Sequence, residues 1–197
     1  MKKLITILAF LLASVNLWGV TIPTGNRVEL YSTTVTTATS INIISLINSS
    51  YDIYEIDMYD FVPSALGNSV VIRVSTDNGS TWINALIDRN GNRDGASYSV
   101  SNTNNYSVCN AITVVTTTQN ICTRVQLFDF NNTIRWKQIF AQNAQWLQTG
   151  NHASTYSGAT VKTTEALNAI QIKCSADCQF AGTVYFYGIA SANVTIP

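Results

Sequence analysis

Glu55 and Asp57 form the only attractive pair of carboxylates within one strand of this sequence. Glycoside hydrolysis uses two such groups, one on each side of the scissile bond. The run Tyr51–Asp60 alternates between apolar and polar residues, which places Glu55 and Asp57 on one strand face and Asp60 on the other. Alternation alone explains these carboxylates, so we interpret them as a polar strand face.

His152, in the segment Asn-His-Ala-Ser, is the single histidine of the chain. A serine or cysteine nucleophile would need it as a base, with a carboxylate behind it. No nucleophile-elbow motif is present, and the nearest acidic residue in sequence is Glu165. One imidazole also excludes multi-histidine metal sites. We therefore interpret His152 as an exposed loop residue, and we predict no catalytic residue, no metal site and no cofactor.

The segment Asp88–Gly95 has oxygen-bearing side chains at alternate positions, as calcium-binding loops do. However, Arg93 stands where such a loop needs glycine, and Ser99 stands where it needs a bidentate glutamate. The segment is better interpreted as a polar loop between strands.

The four cysteines are candidates for disulfides. Cys174 and Cys178 are close enough in sequence to bridge their own hairpin, and Cys109 could meet Cys122 across the strands that flank residues 111–117. Four cysteines allow three pairings, and the sequence does not select one. Zinc binding is disfavoured because no Cys-x-x-Cys spacing occurs. An oxidising compartment would favour two disulfides, whereas a reducing one would leave buried thiols.

Exposed aromatic rings would allow the chain to bind sugars without cleaving them. In general, a tryptophan or tyrosine side chain is more often part of the core than of a binding surface. The candidates are Trp82, Trp136, Trp146 and Tyr156.

Composition indicates a β-rich protein in which these residues are positioned by strands. Only 11% of the 197 residues are charged, whereas Ser, Thr and Asn account for 62, a composition that suits strands and turns better than surface helices. A formal net charge of zero argues against nucleic-acid binding.

Nine segments are predicted as strands from their period-two or continuous apolar patterns. In the third, Tyr54, Ile56 and Met58 form the predicted core face, and the last is expected to be a central strand covered on both faces. Asn78-Gly79 predicts a hairpin turn. Residues 136–147 have some helix propensity, but we prefer a strand followed by a loop. The predicted strands are Glu29–Val35, Ile41–Ile47, Tyr51–Phe61, Ser69–Ser75, Ala111–Thr117, Arg124–Asp129, Ile134–Ala141, Ala169–Cys174 and Gly182–Ile189.

The predicted fold is all-β: a single antiparallel β-sandwich or jelly roll over residues 21–197. It is preceded by a short apolar segment, residues 1–20. Met1-Lys2-Lys3, about ten apolar residues and a small-residue end at Gly19 match a secretory signal peptide. The alternative is an arm that docks on a partner or on a neighbouring copy. The apolar run is shorter than the ~20 residues of a membrane span.

Three stretches, taken in order, resemble a β-sandwich domain that is common in tail-associated or capsid-associated proteins of bacteriophage virions. That domain has a Y-x-x-Y-E-I strand, an R-x-S-T-D-G-G-S-T-F hairpin and a closing G-T-x-x-L-Y-G-I strand. The resemblance covers about residues 27–190. Here Asn78 replaces the first glycine of the hairpin, and residues 88–93 look like an insertion. The matching stretches are Tyr51–Ile56 with Val62-Pro63, Val71–Trp82 with Gly95–Tyr98, and Asn168–Ile170 with Ala181–Ile189.

The resemblance implies a non-enzymatic virion protein that decorates the capsid or forms part of the tail, with no catalytic residues to transfer. Its partners would be other virion proteins and a host-surface glycan or protein, and symmetric particles favour a homo-oligomer. The alternative is a secreted, disulfide-bonded bacterial β-sandwich that binds carbohydrate or protein.

Overall fold

The structure is a computed structural model that describes residues 27–64, 70–84, 88–93, 96–101, 106–109, 121–146, 152–174 and 178–190. The N-terminal segment 1–20 and the predicted strand 111–117 lie outside these ranges. The described residues form thirteen strands and their connections: β1 Arg27–Ala38, β2 Ser40–Ile44, β3 Ile53–Pro63, β4 Val70–Ser75, β5 Ile83–Asn84, β6 Asp88–Arg93, β7 Ala96–Ser101, β8 Tyr106–Cys109, β9 Ile121–Phe128, β10 Lys137–Trp146, β11 His152–Val161, β12 Ala169–Cys174 and β13 Phe180–Ile189.

Two antiparallel sheets pack face to face, which confirms the predicted β-sandwich; its jelly-roll variant stays a prediction. The six-stranded sheet has the order β1-β13-β3-β9-β10-β11. The five-stranded sheet has the order β2-β12-β4-β5, and β8 also pairs with β4. β6 and β7 form a separate hairpin, and β6 lies next to β11.

The core lies between the two sheets and is built from alternate residues of their strands. Tyr54, Ile56 and Met58 are fully buried, as the alternation of β3 predicts. The Tyr54 ring stacks on Phe186 of β13 with ring centroids 5.4 Å apart. Its hydroxyl donates to the Asn48 carbonyl over 2.6 Å and accepts from the Asn48 N–H over 2.7 Å, so the one polar atom of this core ring is hydrogen-bonded.

The predicted Asn-Gly turn is present between β4 and β5, which pair antiparallel. Asn78 and Gly79 have φ values of 57° and 82°, and the N–H of Ser80 donates to the Asp77 carbonyl over 3.3 Å. Positive φ at both central residues defines a type I′ turn, which asparagine and glycine tolerate best. The turn lies at the tip of a loop that spans residues 76–82.

Three predictions about individual segments are wrong. Residues 88–93 are strand β6 and not a polar loop, since they pair with Ala96–Ser101. His152 begins strand β11 instead of standing in a loop, and β11 was not predicted at all. Among the β11 residues whose side chains are described, the core side carries Ser157, Ala159 and Val161, a set too small and polar to produce an apolar pattern.

The strands β10 and β13 test two finer expectations. β10 confirms a strand and not a helix in this region, but the strand spans Lys137–Trp146, so the loop expected after Ala141 is wrong. β13 is an interior strand of its sheet, but only alternate residues are fully buried. The expectation of a strand covered on both faces is therefore wrong: the second face carries the partly exposed residues Tyr185 and Tyr187. No helix within the described ranges has the length and hydrophobicity that a membrane span requires.

Candidate functional site

The candidate site is the outer face, which we define as the side of the six-stranded sheet turned away from the five-stranded sheet. Directly paired residues of neighbouring strands point to the same side of a sheet, so the register arranges the outer face in cross-strand rows. One row contains Tyr187, Glu55, Gln126, Phe140 and Gly158. The next contains Tyr185, Asp57, Arg124, Gln142 and Tyr156.

A charged cluster occupies the middle of the outer face. The Asp57 side chain is 2% exposed, and its Oδ1 accepts a hydrogen bond from Arg124 Nε over 2.8 Å. Arg27 of the edge strand β1 donates to Asp57 Oδ2 and pairs with Glu55 Oε2 at 2.9 Å. Gln126 Nε2 donates to Glu55 Oε1 over 2.8 Å. Ion pairs and hydrogen bonds between side chains thus join the three strands β1, β3 and β9.

Electrostatics keeps Asp57 ionised. Burial raises the pKa of this carboxyl, but hydrogen bonds from Arg124 and Arg27 outweigh burial and hold the pKa below its usual range. The same bonds raise the pKa of the Arg124 guanidinium. The carboxylates of the predicted polar face are therefore buried beneath their partners instead of being solvated. Asp57 is occupied by two arginines, an arrangement suited to fixing the sheet surface.

Tyrosine rings surround the charged cluster. The guanidinium of Arg27 lies 3.5 Å from the ring centroid of Tyr187, close enough for a cation–π contact. Tyr187 stacks beside Tyr185 at 6.1 Å, and Tyr185 meets Tyr59 edge-on at 5.9 Å. The Tyr59 side chain is 42% exposed, and its hydroxyl donates to Asp57 Oδ2 over 3.3 Å. The rings are consequently held by the same carboxylate that binds the arginines.

A second aromatic group, which we call the aromatic pair, lies on β10 and β11. Phe140 and Tyr156 have ring centroids 6.2 Å apart and planes inclined by 28°. Their side chains are 40% and 44% exposed. Gln142 Nε2 lies 3.4 Å from the Tyr156 hydroxyl oxygen and donates to it. The pair is therefore a solvent-facing aromatic surface with a polar edge.

The four aromatic residues predicted as contacts are not brought together. Tyr156 lies on the outer face, whereas Trp82 is partly buried against the turn at Gly79, and Trp136 precedes β10 with half of its surface exposed. Trp146 is the last residue of β10. Sequence reasoning missed Phe140 and Tyr59 as surface rings. The alternation of buried and exposed residues along β3 and β10 could have identified them, because each residue directly follows a buried one and therefore points to the other side of the sheet.

Of the two disulfides suggested by the sequence, Cys174–Cys178 is present and Cys109–Cys122 is not. Cys174 and Cys178 form a disulfide with their Cα atoms 5.3 Å apart. Cys122 on β9 carries a free, exposed thiol, so it is not bonded to Cys109. The physical reason is orientation: Cys122 lies on the exposed side of β9, between the buried residues Ile121 and Thr123, whereas Cys109 belongs to β8, which pairs with β4 in the other sheet.

A buried lysine fixes the loop between β9 and β10. Lys137 is fully buried, and its ammonium group donates to the carbonyl oxygens of Asn132 and, over 3.0 Å, Arg135. Burial lowers the pKa of this lysine. The loop held in this way exposes 84% of Ile134. It lies outside the rows of the outer face.

Among the described residues, no group of three or more His, Cys, Asp or Glu side chains is placed to hold a metal ion. No protein-family model matches the sequence, and no curated protein or solved structure is significantly similar to it.

Proposed function

We propose that the chain is a non-enzymatic structural protein of a bacteriophage virion, capsid-decorating or tail-associated. It acts through surface complementarity with neighbouring virion proteins or with the host surface. The β-sandwich fold and the ordered motifs of residues 51–82 and 168–189 support this proposal. The observation that carries it is the outer face, where tyrosine rings surround an arginine–carboxylate cluster.

The composition of the outer face is that of a recognition surface. Tyrosine and arginine are enriched among the residues that dominate binding energies at protein interfaces. Here Arg27 and Arg124 are bound to Asp57, and Tyr59 donates to the same carboxylate. Side chains that are already ordered lose little entropy when a partner binds. A preformed face of this kind favours binding over chemistry.

The expected partners are other virion proteins and a host-surface glycan or protein, and not nucleic acid. A formal net charge of zero provides no general attraction for phosphate backbones. A component of a symmetric particle presents the same surface many times, which favours a homo-oligomer.

Fractionation of particles tests this proposal. An antibody against the chain should detect it in the band of intact particles in a density gradient, and the band should persist after a high-salt wash. A chain that carries Tyr59→Ala and Tyr185→Ala should incorporate less well, while Ile134→Ser, which changes an exposed residue away from the outer face, should incorporate normally. Absence of the chain from particles, with recovery in the culture medium, would overturn the proposal.

The second candidate is a secreted β-sandwich that binds carbohydrate or protein. The Cys174–Cys178 disulfide favours it, because disulfides persist in oxidising compartments. Intact mass with and without reductant separates the candidates. A mature start near Val20 and a gain of about 2 Da per disulfide on reduction support secretion. A start at Met1 or Lys2 with no gain supports assembly in the cytoplasm.

A further inference from the structure

The outer face contains a hollow between β10 and β11. Phe140 stands directly opposite Gly158, which contributes no side chain to the row. Among the described residues, a Cβ atom built on Gly158 would meet the carbonyl oxygen of Ile139 alone, at 3.8 Å. The described part of the chain therefore leaves space beside the Phe140 ring, in a row whose other four residues all carry side chains.

The aromatic pair forms the walls of this hollow. Tyr156 precedes Gly158 by two residues on β11 and therefore projects from the same face. The rings of Phe140 and Tyr156 are inclined by only 28°, and each is at least 40% exposed. A ligand seated over Gly158 would therefore lie beside the exposed Phe140 ring and next to Tyr156 on the same strand. Thr160 follows Gly158 by two residues and borders the hollow on the side away from Tyr156.

The described polar groups nearest to the hollow are uncharged. Thr160 Oγ1 donates to Gln138 Oε1 over 3.0 Å on one side, and Gln142 donates to the Tyr156 hydroxyl on the other. The nearest described cation in these rows, Arg124, donates to both carboxylate oxygens of Asp57. The hydroxyl groups of a ligand would therefore find amide and hydroxyl partners among the described side chains.

We propose that this hollow binds one sugar ring of a neutral glycan. The apolar C–H face of a pyranose packs against an aromatic ring, and its hydroxyl groups exchange hydrogen bonds with the surrounding amides. Binding sites of this type combine aromatic walls with a few placed polar groups. The inference deepens the proposed function and rests on it in one respect, namely that the chain acts by recognition at its outer face.

Substitution of Gly158 gives the sharpest test, because it fills the hollow without removing any contact. Wild-type protein and Gly158→Leu are applied to an array of neutral and acidic glycans, and hits are titrated by calorimetry. We expect the wild type to bind neutral glycans and Gly158→Leu to weaken that binding by about tenfold or more. Tyr156→Ala should produce a similar loss. Equal urea midpoints for the three proteins exclude unfolding as the cause.

Trp136→Ala is the matched control, because it removes an exposed aromatic ring outside the hollow. Its affinity should equal that of the wild type. The inference is overturned if the wild type binds no neutral glycan, if it prefers acidic glycans, or if Trp136→Ala loses binding while Gly158→Leu retains it. Incorporation into particles is scored separately for Gly158→Leu. Normal incorporation of a wild-type chain that binds no glycan would refute this inference alone, whereas absence of the wild-type chain from particles would refute the proposed function.

Discussion

Arg124 and Asp57 stand directly opposite each other on β9 and β3, and Arg124 Nε donates to Asp57 Oδ1 over 2.8 Å. The two residues are 67 positions apart in the sequence. Their pairing ties the two central strands of the six-stranded sheet together on the side where no core supports them. Arg27 approaches the same carboxylate from β1, so one aspartate connects three strands.

Asp57→Ala tests the strength of this connection. The substitution leaves Arg27 and Arg124 without their shared acceptor and should lower the free energy of unfolding by about 2 kcal/mol. The loss is smaller than for a fully buried pair, because both arginines are partly exposed and can be solvated. Urea denaturation measures it. Glu165→Ala, which removes an exposed carboxylate, should change the free energy of unfolding by less than about 0.5 kcal/mol. An equal loss in the two variants would show that the arginine contacts of Asp57 do not stabilise the sheet.

Stability should fall in acid. The pKa of Asp77 is lowered to about 2, chiefly by the hydrogen bond from the Ser75 hydroxyl and then by the Thr81 N–H, and that of Asp57 is also lowered. In the unfolded chain an aspartate has a pKa near 4, so on acidification it binds a proton at a higher pH than the same residue does in the folded protein. The stabilisation is therefore complete above about pH 4 and disappears as the pH falls towards about 2. Urea midpoints between pH 6 and pH 2 give the profile. Asp77→Asn should flatten it, and an unchanged slope would contradict this origin.

Gly182 and Gly158 form a matched pair of glycines. Gly182 has φ of 146°, and a Cβ atom there would lie 2.6 Å from the Phe61 ring and 3.1 Å from the Tyr59 carbonyl oxygen. Gly182→Ala should therefore cost about 2–3 kcal/mol of stability through strain and overpacking. A Cβ atom at Gly158 would meet one atom of the described residues, at ordinary contact distance. Gly158→Ala should therefore leave the free energy of unfolding unchanged or raise it slightly. Thermal unfolding of both variants distinguishes the two cases, and similar losses would be inconsistent with these contacts.

Lys137→Met should destabilise the protein by about 1–3 kcal/mol. Methionine fills a similar volume but removes the ammonium group that donates to the carbonyl oxygens of Asn132 and Arg135, and hydrogen bonds from a charged donor stabilise more than neutral ones. Lys162→Met alters an exposed lysine and serves as the control. Urea denaturation of both variants gives the comparison, and a neutral Lys137→Met would show that the loop does not depend on this lysine.

Reduction of the Cys174–Cys178 disulfide should lower stability by about 2 kcal/mol, the entropic value for so short a closed loop. The double variant Cys174→Ala, Cys178→Ala should reproduce most of this loss and become insensitive to reductant. Cys122→Ser should leave the reductant effect unchanged, because Cys122 carries a free thiol. A reductant effect that persists in the double variant would indicate a further disulfide.

The sequence by itself determined the fold class, the core face of β3 and the turn at Asn78-Gly79. These features depend on local physical rules. Period-two alternation selects which side of a strand is buried, and only residues that tolerate positive φ suit a type I′ turn. The sequence could not reveal β11, because small and polar residues do not generate an apolar pattern even when the strand completes a sheet.

Only the tertiary structure decided which residues become neighbours on the outer face. Alternation placed Glu55 and Asp57 on one side of β3, but it could not identify Arg27 and Arg124, which are 30 and 67 residues from Asp57, as their partners. It likewise could not place Phe140 beside Tyr156 or open a hollow at Gly158. Such neighbours are set by strand order and register, which arise from packing of the whole sheet, since a shift of one residue would turn every side chain to the opposite face.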